Sequence, residues 1–385
     1  MDKETATTDG GSSASASSTS SAIMVINNNG QLSIPQPSYT PMPLMTKLLY
    51  YGVIPLIAPL FVTYKFITDK SYRVTTCSLY SLVSTATATN TNIDVTKNGG
   101  GNNNNKCVMN GWYFQNVTLL QKLWTLKSAQ AYIGNNNNNN NNILEYQVRE
   151  GYCGSATQRC ILKSFGYTSP SIIGIEQIGG ESKPELWCEH VKLMTSSIAT
   201  ASNVTRSVTN SATATNDTTE QVADDGNDEY YIETTIVYGS TVTYSQFKTI
   251  LQTALSNTNV RIACNYLRSA LTGFELHGLW KYHPLLILLK LYGGHFSPIL
   301  GMLDATTSNH QSGDEEKKKE EDDNEDEGEG ADDNDGPFVA IWDTNARYGG
   351  AYFVPCRRLY EAVSSVDVGS KKSRAIILVE KKKRE

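Results

Sequence analysis

The sequence predicts an α+β fold, because helical and strand-like patterns occupy largely different parts of the chain. In the first half, apolar or small residues follow Cys153 at Ala156, Cys160, Ile161 and Phe165, which is the stripe of a buried helix. In the second half, runs rich in β-branched and aromatic residues recur at short intervals. This order is typical of an antiparallel sheet with helices packed against it.

Low-complexity tracts take up much of the 385-residue chain. They comprise a polar tail over residues 1–46, an asparagine run at 135–142, a Thr/Ser/Asn-rich region at 195–228 and an acidic region at 305–336. Such compositions cannot bury enough apolar surface to offset chain ordering, so we expect a disordered tail and disordered loop insertions. The remaining length predicts one domain over residues 106–380.

The net charge of −6 is concentrated in the acidic region. Residues 314–335 contain fourteen Asp or Glu and three Lys, so the rest of the chain carries about +5. A mildly basic folded part suits small anionic substrates. It has no dense Arg/Lys stripe, which argues against nucleic-acid binding.

The seven cysteines are widely spaced and include no C-x-x-C pair. This pattern argues against a disulfide framework and against a structural zinc site. Cys188 and His190 are two potential metal ligands close in sequence. Two ligands do not make a site, so no resident metal is predicted there.

An uncharged run over residues 48–64 is bracketed by Lys47 and Lys65. Its seventeen residues are the minimum for a membrane span, which predicts a single anchor, although Pro55 and Pro59 weaken that prediction. The alternative is a buried or interfacial apolar segment. More cations follow the run than precede it, which places the C-terminal bulk of the chain on the cytosolic side. Three Asn-X-Thr sequons favour the opposite side, but a chain rich in Asn and Thr contains them by chance.

The other elements follow in chain order. Leucines and Trp124 share one face over residues 116–131, which predicts a helix. The capping box Thr-Tyr-Ser-Gln opens a second helix over residues 243–255. The remaining predictions are strands at 230–237, 260–264, 284–291, 338–342 and 375–379, and a helix at 356–363.

Cys153 is a candidate nucleophile. A thiol in the first turn of a helix faces unpaired backbone N–H groups and the positive end of the helix dipole, which lowers its pKa and favours the thiolate. Gln147, six residues earlier, is a candidate oxyanion donor together with the backbone N–H of Cys153. The alternative is that Cys153 is an inert, small, buried side chain.

His295 and Asp343 are candidate partners of this thiol. His295 stands in Gly-Gly-His-Phe-Ser-Pro, where glycines allow close approach of a substrate and a histidine at a strand start can act as general base. Asp343 ends a strand and can orient an imidazole by accepting its other N–H. The alternatives are a hydrogen-bonded structural histidine and an ordinary strand-end aspartate.

Four blocks in this order resemble the phytochelatin synthase family of papain-like cysteine transferases. The resemblance covers roughly residues 110–380 and implies a papain-like fold, with a helical half carrying the cysteine and an antiparallel β half carrying the histidine and aspartate. The blocks are Tyr152-Cys153-Gly154 with Gln147 upstream, Asn265-Tyr266-Leu267-Arg268-Ser269-Ala270-Leu271, Gly294-His295-Phe296-Ser297-Pro298, and the strand that ends at Asp343.

The resemblance also implies an activity. Family members attack the Cys–Gly bond of glutathione with the catalytic cysteine, release glycine and hold γ-glutamylcysteine as a thioester. A second glutathione, often as a cadmium or zinc thiolate, accepts the acyl group and yields phytochelatins, which bind heavy metals. Carried over, Cys153 is the nucleophile, His295 the general base and then acid, Asp343 the orienting residue and Gln147 the oxyanion donor.

Substrate contacts match the family less well. The family's arginine three residues after the aspartate corresponds to Ala346, so Arg347 can hold the substrate carboxylates only if the loop shifts, and Arg268 is a second candidate. The cysteine-rich C-terminal region of plant-type members has no counterpart here, which resembles short members in which glutathione hydrolysis is prominent. The alternative functions are therefore a glutathione hydrolase and a catalytically idle metal-thiolate binding protein.

The resemblance implies no tightly bound cofactor. A heavy-metal ion, cadmium or zinc, would act as an activator or as part of a metal–glutathione thiolate substrate. The expected partners are glutathione and its metal complexes. A monomer and a homodimer are the alternatives for its assembly.

Overall fold

A computed structural model describes most of the predicted domain and part of the region before it. The insertions predicted at 135–142, 195–228 and 305–336 lie outside the described residues except at positions 195 and 336, and Arg347 also lies outside them. The described residues are 25–26, 31–34, 44–88, 108–133, 143–148, 151–167, 183–195, 230–273, 291, 293–304, 336–346, 350–368 and 370–384.

An antiparallel sheet of eight strands forms the centre of the described structure. The strands β1 (Val25–Ile26) and β2 (Leu32–Ser33) form a separate two-stranded sheet. The main sheet contains β3 (Val108–Asn110), β4 (Tyr113–Gln115), β5 (Tyr230–Tyr238), β6 (Val260–Leu267), β7 (Gly294–Leu303), β8 (Phe338–Asp343), β9 (Gly350–Pro355) and β10 (Ala375–Lys383). Their order across the sheet is β3-β4-β9-β8-β7-β6-β10-β5.

Helices accompany this sheet, so the predicted mixed α+β class is confirmed. A π-helical turn (Leu49–Val53) and a 3₁₀ turn (Gly239–Thr241) occur beside the α-helices. The α-helices are α1 (Leu44–Leu48), α2 (Ile54–Thr68), α3 (Lys70–Ala88), α4 (Val117–Leu123), α5 (Lys127–Gln130), α6 (Cys153–Ser164), α7 (184–195), α8 (Tyr244–Ser256), α9 (Arg268–Thr272) and α10 (Cys356–Ser364).

The sheet carries a helical layer on each face. Helices α4 to α7 pack on one face, and α3, α8, α9 and α10 pack on the other. Side chains alternate along a strand, so β8 directs Ala340 and Trp342 to the first layer and Val339 and Ile341 to the second. The predicted division into a helical half and a β half is therefore incomplete. Central strands such as β6 are buried on both faces, so helices from the second half of the chain also cover the sheet.

Helix α8 begins as its sequence predicts. Thr243 Oγ1 accepts a hydrogen bond from the Gln246 N–H at 3.3 Å, and the Thr243 N–H donates to Gln246 Oε1 at 2.9 Å. Both halves of the predicted capping box are thus present. These two hydrogen bonds satisfy the backbone N–H groups of Thr243 and Gln246, which a helix start otherwise leaves to water.

The helix predicted over residues 116–131 is correct at its start and wrong in its continuity. Asn116 Oδ1 accepts from the Leu119 N–H at 3.0 Å, which caps α4. Leu126 then adopts an extended backbone with ψ of 136°, which ends the helical path and divides the segment into α4 and α5.

Three strand predictions need correction. β6 continues past residue 264 to Leu267, and β10 continues past residue 379 into the basic end of the chain, because β5 pairs with it as far as Lys383. The strand predicted over 284–291 lies outside the described residues except for Leu291, which is helical and buried.

The anchor predicted at 48–64 is not borne out. Among the described residues, none of the helices combines the length and apolar character that crossing a membrane requires. The uncharged run is divided between the end of α1, the π-helical turn and most of α2, and Lys65 follows within α2 itself.

Part of the tail that we expected to be disordered is structured. Gln31 pairs with β9 through its side chain, since its Nε2 donates to the Ala351 carbonyl at 3.2 Å and its Oε1 accepts from the Ala351 N–H at 3.4 Å. Leu32 is buried in the core beside it. The Nε2 of Gln115 donates to the same carbonyl at 3.3 Å, so two amide side chains replace a strand partner at this point, which composition alone does not reveal.

Strands β7 and β8 contain a bulge near the end of α4. Their register shifts by one residue between Ile299 and Gly301. A Cβ at Gly301 would lie only 2.7 Å from Leu126 Cδ1, so a larger residue there would require the Leu126 side chain to move.

Candidate active site

Cys153 is the first residue of α6, as the sequence predicts, and only 7% of it is exposed. The indole Nε1 of Trp187 donates to the Gly154 carbonyl at 3.1 Å, and the Trp187 ring stacks on Phe296 of β7. These contacts fix the first turn of α6 against the strand that carries His295. The thiol therefore reaches the histidine although the two residues are distant in sequence.

His295 lies between the thiol and Asp343. Its Nε2 is 3.1 Å from Asp343 Oδ1, and its ring is close enough to the Cys153 thiol to lower the pKa of that thiol. Because Nε2 faces the carboxylate, Nδ1 is the ring nitrogen left for the sulfur. The structure thus brings together the three residues proposed as a catalytic triad.

The pKa values of the three groups favour a thiolate–imidazolium pair. Burial raises the pKa of the Cys153 thiol, but the nearby His295 ring and the backbone N–H groups of Phe296 and Gly154 outweigh burial and hold that pKa below its usual value. Burial lowers the pKa of His295, yet Asp343 and Cys153 raise it to about 9. A proton therefore moves easily from sulfur to imidazole.

Asp343 is fully buried and held from several directions. The Asn345 N–H donates to Oδ1 at 2.9 Å, and Arg268 Nη2 lies 3.1 Å from Oδ2. Burial raises the pKa of the carboxyl group, but His295 and Arg268 outweigh it and keep the pKa below its usual range. The carboxylate therefore stays charged beside the imidazole.

Arg268 forms a contact with Asp343 that the sequence did not indicate. We predicted it as a contact for substrate carboxylates, with its direction unknown. It lines the cavity beside Cys153, but its guanidinium group also forms the ion pair with Asp343. The carboxylate that Arg268 contacts is thus that of Asp343 and not one of a substrate. The other predicted substrate contact, Arg347, lies outside the described residues.

Gln147 lines the same cavity and is 6% exposed. Its backbone N–H donates to the Thr344 carbonyl at 2.7 Å, next to the end of β8. In the described part of the chain its side-chain Oε1 has no hydrogen-bond partner. Rotation of the carboxamide exchanges its oxygen and its NH₂ group, so the side chain can present a donor to the cavity.

Glu145 holds the Gln147 segment against α6. Its carboxylate pairs with Arg159, and Lys163 Nζ lies 2.7 Å from it. Trp342 Nε1 donates to the Glu145 carbonyl at 3.1 Å, which links the segment to β8 as well. Gln147 is therefore positioned from both sides of the site.

The cavity at the three residues has a volume of about 220 Å³. This is smaller than the roughly 300–1,000 Å³ typical of sites that enclose whole drug-sized ligands. It suits the reacting part of a substrate whose remainder extends outside. The lining residues are Gln147, Gly151, Cys153, Arg268, Ser269, Thr272, Gly293, Gly294, His295 and Asn345.

A buried group of hydroxyls that sequence reasoning missed lies behind His295. The Tyr266 ring meets the His295 ring edge-on, with centroids 5.6 Å apart. The Tyr266 hydroxyl hydrogen-bonds that of Tyr113 and lies 3.2 Å from Ser297 Oγ. Tyr266 is directly opposite His295 in the β6–β7 register, so a correct strand alignment would have revealed it.

Cysteine, histidine and aspartate in this arrangement form a candidate site for nucleophilic chemistry at a carbonyl group. Comparison of the chain with models of known protein families and with curated protein sequences found no match. Among the described residues, no group of three or more His, Cys, Asp or Glu side chains is placed to hold a metal ion.

Proposed function

We propose that this protein is a γ-glutamylcysteine dipeptidyl transferase of the phytochelatin synthase type, with a papain-like arrangement of its catalytic groups. The observation that supports this most is the continuous path from the Cys153 thiol through the His295 ring to the Asp343 carboxylate. The resemblance of the four sequence blocks supplies the substrate class, which is glutathione.

In the first half-reaction, the Cys153 thiolate attacks the carbonyl carbon of the Cys–Gly peptide bond. The backbone N–H of Cys153 and the amide of Gln147 stabilise the oxyanion, and such a donor is worth about 3 kcal/mol. Protonated His295 gives its proton to the glycine nitrogen, the C–N bond breaks and glycine leaves. The γ-glutamylcysteinyl group remains as a thioester.

In the second half-reaction, the amino group of another glutathione attacks the thioester. His295 accepts the amine proton, a new peptide bond forms and the Cys153 thiolate is released. Water in place of the amine yields free γ-glutamylcysteine, which is the hydrolase reaction. A cadmium or zinc ion belongs to this scheme as part of a thiolate substrate. A nucleophilic thiolate needs a reducing compartment, so the proposal includes a cytosol-facing location.

The test is to incubate the full-length protein with glutathione, with and without cadmium, and to identify the products by mass spectrometry. We expect glycine and (γ-Glu-Cys)ₙ-Gly oligomers. Release of γ-glutamylcysteine and glycine alone would replace the transferase with a glutathione hydrolase. Binding of the metal–glutathione complex without any turnover would leave the idle thiolate-binding function.

Two matched variants test the nucleophile. Cys153→Ser should lower kcat by roughly 10⁴-fold or more, as loss of a nucleophile does. Cys160→Ser changes a second buried cysteine of the same helix and should leave kcat largely unchanged. Equal turnover by Cys153→Ser and the wild type would refute the catalytic assignment.

A further inference from the structure

Helix α2 presents an apolar surface to solvent. Six of its large side chains are each more than half exposed, although exposed apolar residues in a soluble domain usually occur singly. Another helix, α3, follows directly and packs into the domain through buried residues such as Leu79 and Val83. The six exposed side chains are Leu56, Ile57, Leu60, Phe61, Tyr64 and Ile67.

These six side chains, which we call the α2 face, lie on one side of the helix. At 3.6 residues per turn each residue is rotated by about 100° from the last, which places all six within an arc of about 140°. Lys65 lies at the border of this arc, with its Nζ 5.9 Å from the centre of the Phe61 ring. A contiguous exposed apolar patch of this kind marks a protein or membrane interaction site.

Hydrogen bonds connect the end of α2 to the start of α3. Asp69, between α2 and α3, accepts a hydrogen bond from the Tyr72 N–H at 3.0 Å and so begins α3. Arg73 Nη1 donates to the Phe66 carbonyl at 3.2 Å and to the Ile67 carbonyl at 3.4 Å, which satisfies the end of α2. The α2 face is therefore presented by a helix whose end is hydrogen-bonded to the next helix.

The charges around the α2 face select the kind of surface that it fits. Residues 44–88 contain four cations, Lys47, Lys65, Lys70 and Arg73, and a single acid, Asp69. Asp69 is engaged by the start of α3. Arg73 is engaged by the end of α2, so Lys65 and Lys70 are the cations offered to an anionic partner, beside an apolar face that needs an apolar one.

We propose that α2 docks the protein on the surface of an anionic lipid bilayer. The α2 face enters the boundary between headgroups and acyl chains, and Lys65 and Lys70 contact the phosphates. A bilayer meets both requirements at once. This proposal does not depend on the chemistry at Cys153.

The test is sedimentation of the full-length protein with vesicles of phosphatidylcholine, alone or mixed with phosphatidylserine. We expect partitioning that is strong on the anionic vesicles and weak on the neutral ones. Leu60→Glu should lower partitioning by about tenfold or more, because a buried leucine is lost. The double variant Lys65→Gln/Lys70→Gln should lower it by about fivefold for each charge, on anionic vesicles only.

The matched control is Leu193→Glu, which makes the same change at an exposed leucine of α7. It should partition like the wild type. Three results would overturn the proposal: no partitioning onto either vesicle, equal losses for Leu60→Glu and Leu193→Glu, or a Leu60-dependent dimer in sedimentation velocity without vesicle binding. Thermal melts of both leucine variants should match the wild type, since both side chains face solvent.

Discussion

Two buried cysteines of α6 have opposite chemical character. Cys153, at the first residue of the helix, has a pKa below its usual value, whereas burial and the Glu145 carboxylate raise the pKa of Cys160 to about 12. Both thiols are buried to a similar degree. The difference comes from their neighbours: an imidazole and backbone N–H groups surround Cys153, and a carboxylate and carbonyl lie near Cys160. Burial alone therefore does not identify an inert cysteine.

Alkylation should show this difference most strongly. At pH 7 iodoacetamide is expected to label Cys153 at least about 10³-fold faster than Cys160, because only the thiolate reacts and few Cys160 thiols are ionised. Peptide mass spectrometry over a time course measures both rates in one sample. In denaturant the two rates should converge. Equal rates in the folded protein would contradict the assigned roles.

Asp343→Asn should have the next largest effect, a fall in kcat of about 10³-fold, because the imidazole loses the carboxylate that orients it. Asp367→Asn is a matched control, since that side chain caps a surface turn by accepting from the Ser370 N–H. It should retain wild-type kcat.

The same variant has a signature in the pH profile. His295 must be protonated to release glycine, so wild-type activity should persist below about pH 9 and decline as the pH rises through that value. Asp343 raises the His295 pKa, so the residual activity of Asp343→Asn should decline at lower pH. If activity declined at the same pH in Asp343→Asn and in the wild type, Asp343 would not act through the histidine.

Gln147→Ala should lower kcat by about 10²-fold with little change in KM, because the lost donor acts on the oxyanion and not on the bound substrate. Gln246→Ala is the control, in which a capping glutamine far along the chain is lost. It should cost about 1 kcal/mol of unfolding free energy and leave kcat unchanged. A rise in KM alone for Gln147→Ala would make it a binding residue.

Tyr266→Phe should have the smallest effect on turnover, within about fivefold, since the ring that meets His295 is retained. The Tyr113 and Ser297 hydroxyls lose a partner, which should lower the unfolding free energy by about 1–3 kcal/mol. Chemical denaturation measures the loss. Unchanged stability would show that the buried hydroxyl group does not support the site.

Short-range signals account for what could be predicted from the sequence. The Thr243 capping box, the helix start near Asn116, the helix start at Cys153 and the strand end at Asp343 each depend on a few neighbouring residues. Contacts between distant segments could not be predicted. Examples are the ion pair of Arg268 with Asp343 and the pairing of Gln31 with Ala351.

The prediction for residues 48–64 was wrong for a related reason. Hydropathy measures the apolar content of a window, but a π-helical turn interrupts the α-helix within this window, and α2 itself has only 15 residues. Composition does not reveal this interruption. Nor does it reveal the exposed α2 face, because the side of the helix on which each residue lies must be known first.

The one-residue bulge near Gly301 decides which side of the sheet the acid occupies. Before the bulge, Ile299 pairs with Ile341, so Asp343 falls opposite Ser297 and on the same side as His295. If the register of Leu303 and Phe338 continued unbroken, Asp343 would fall opposite Pro298 and point away. Deleting one residue there would keep every candidate catalytic side chain in the sequence. Asp343 would nevertheless face the opposite helical layer and could no longer contact His295.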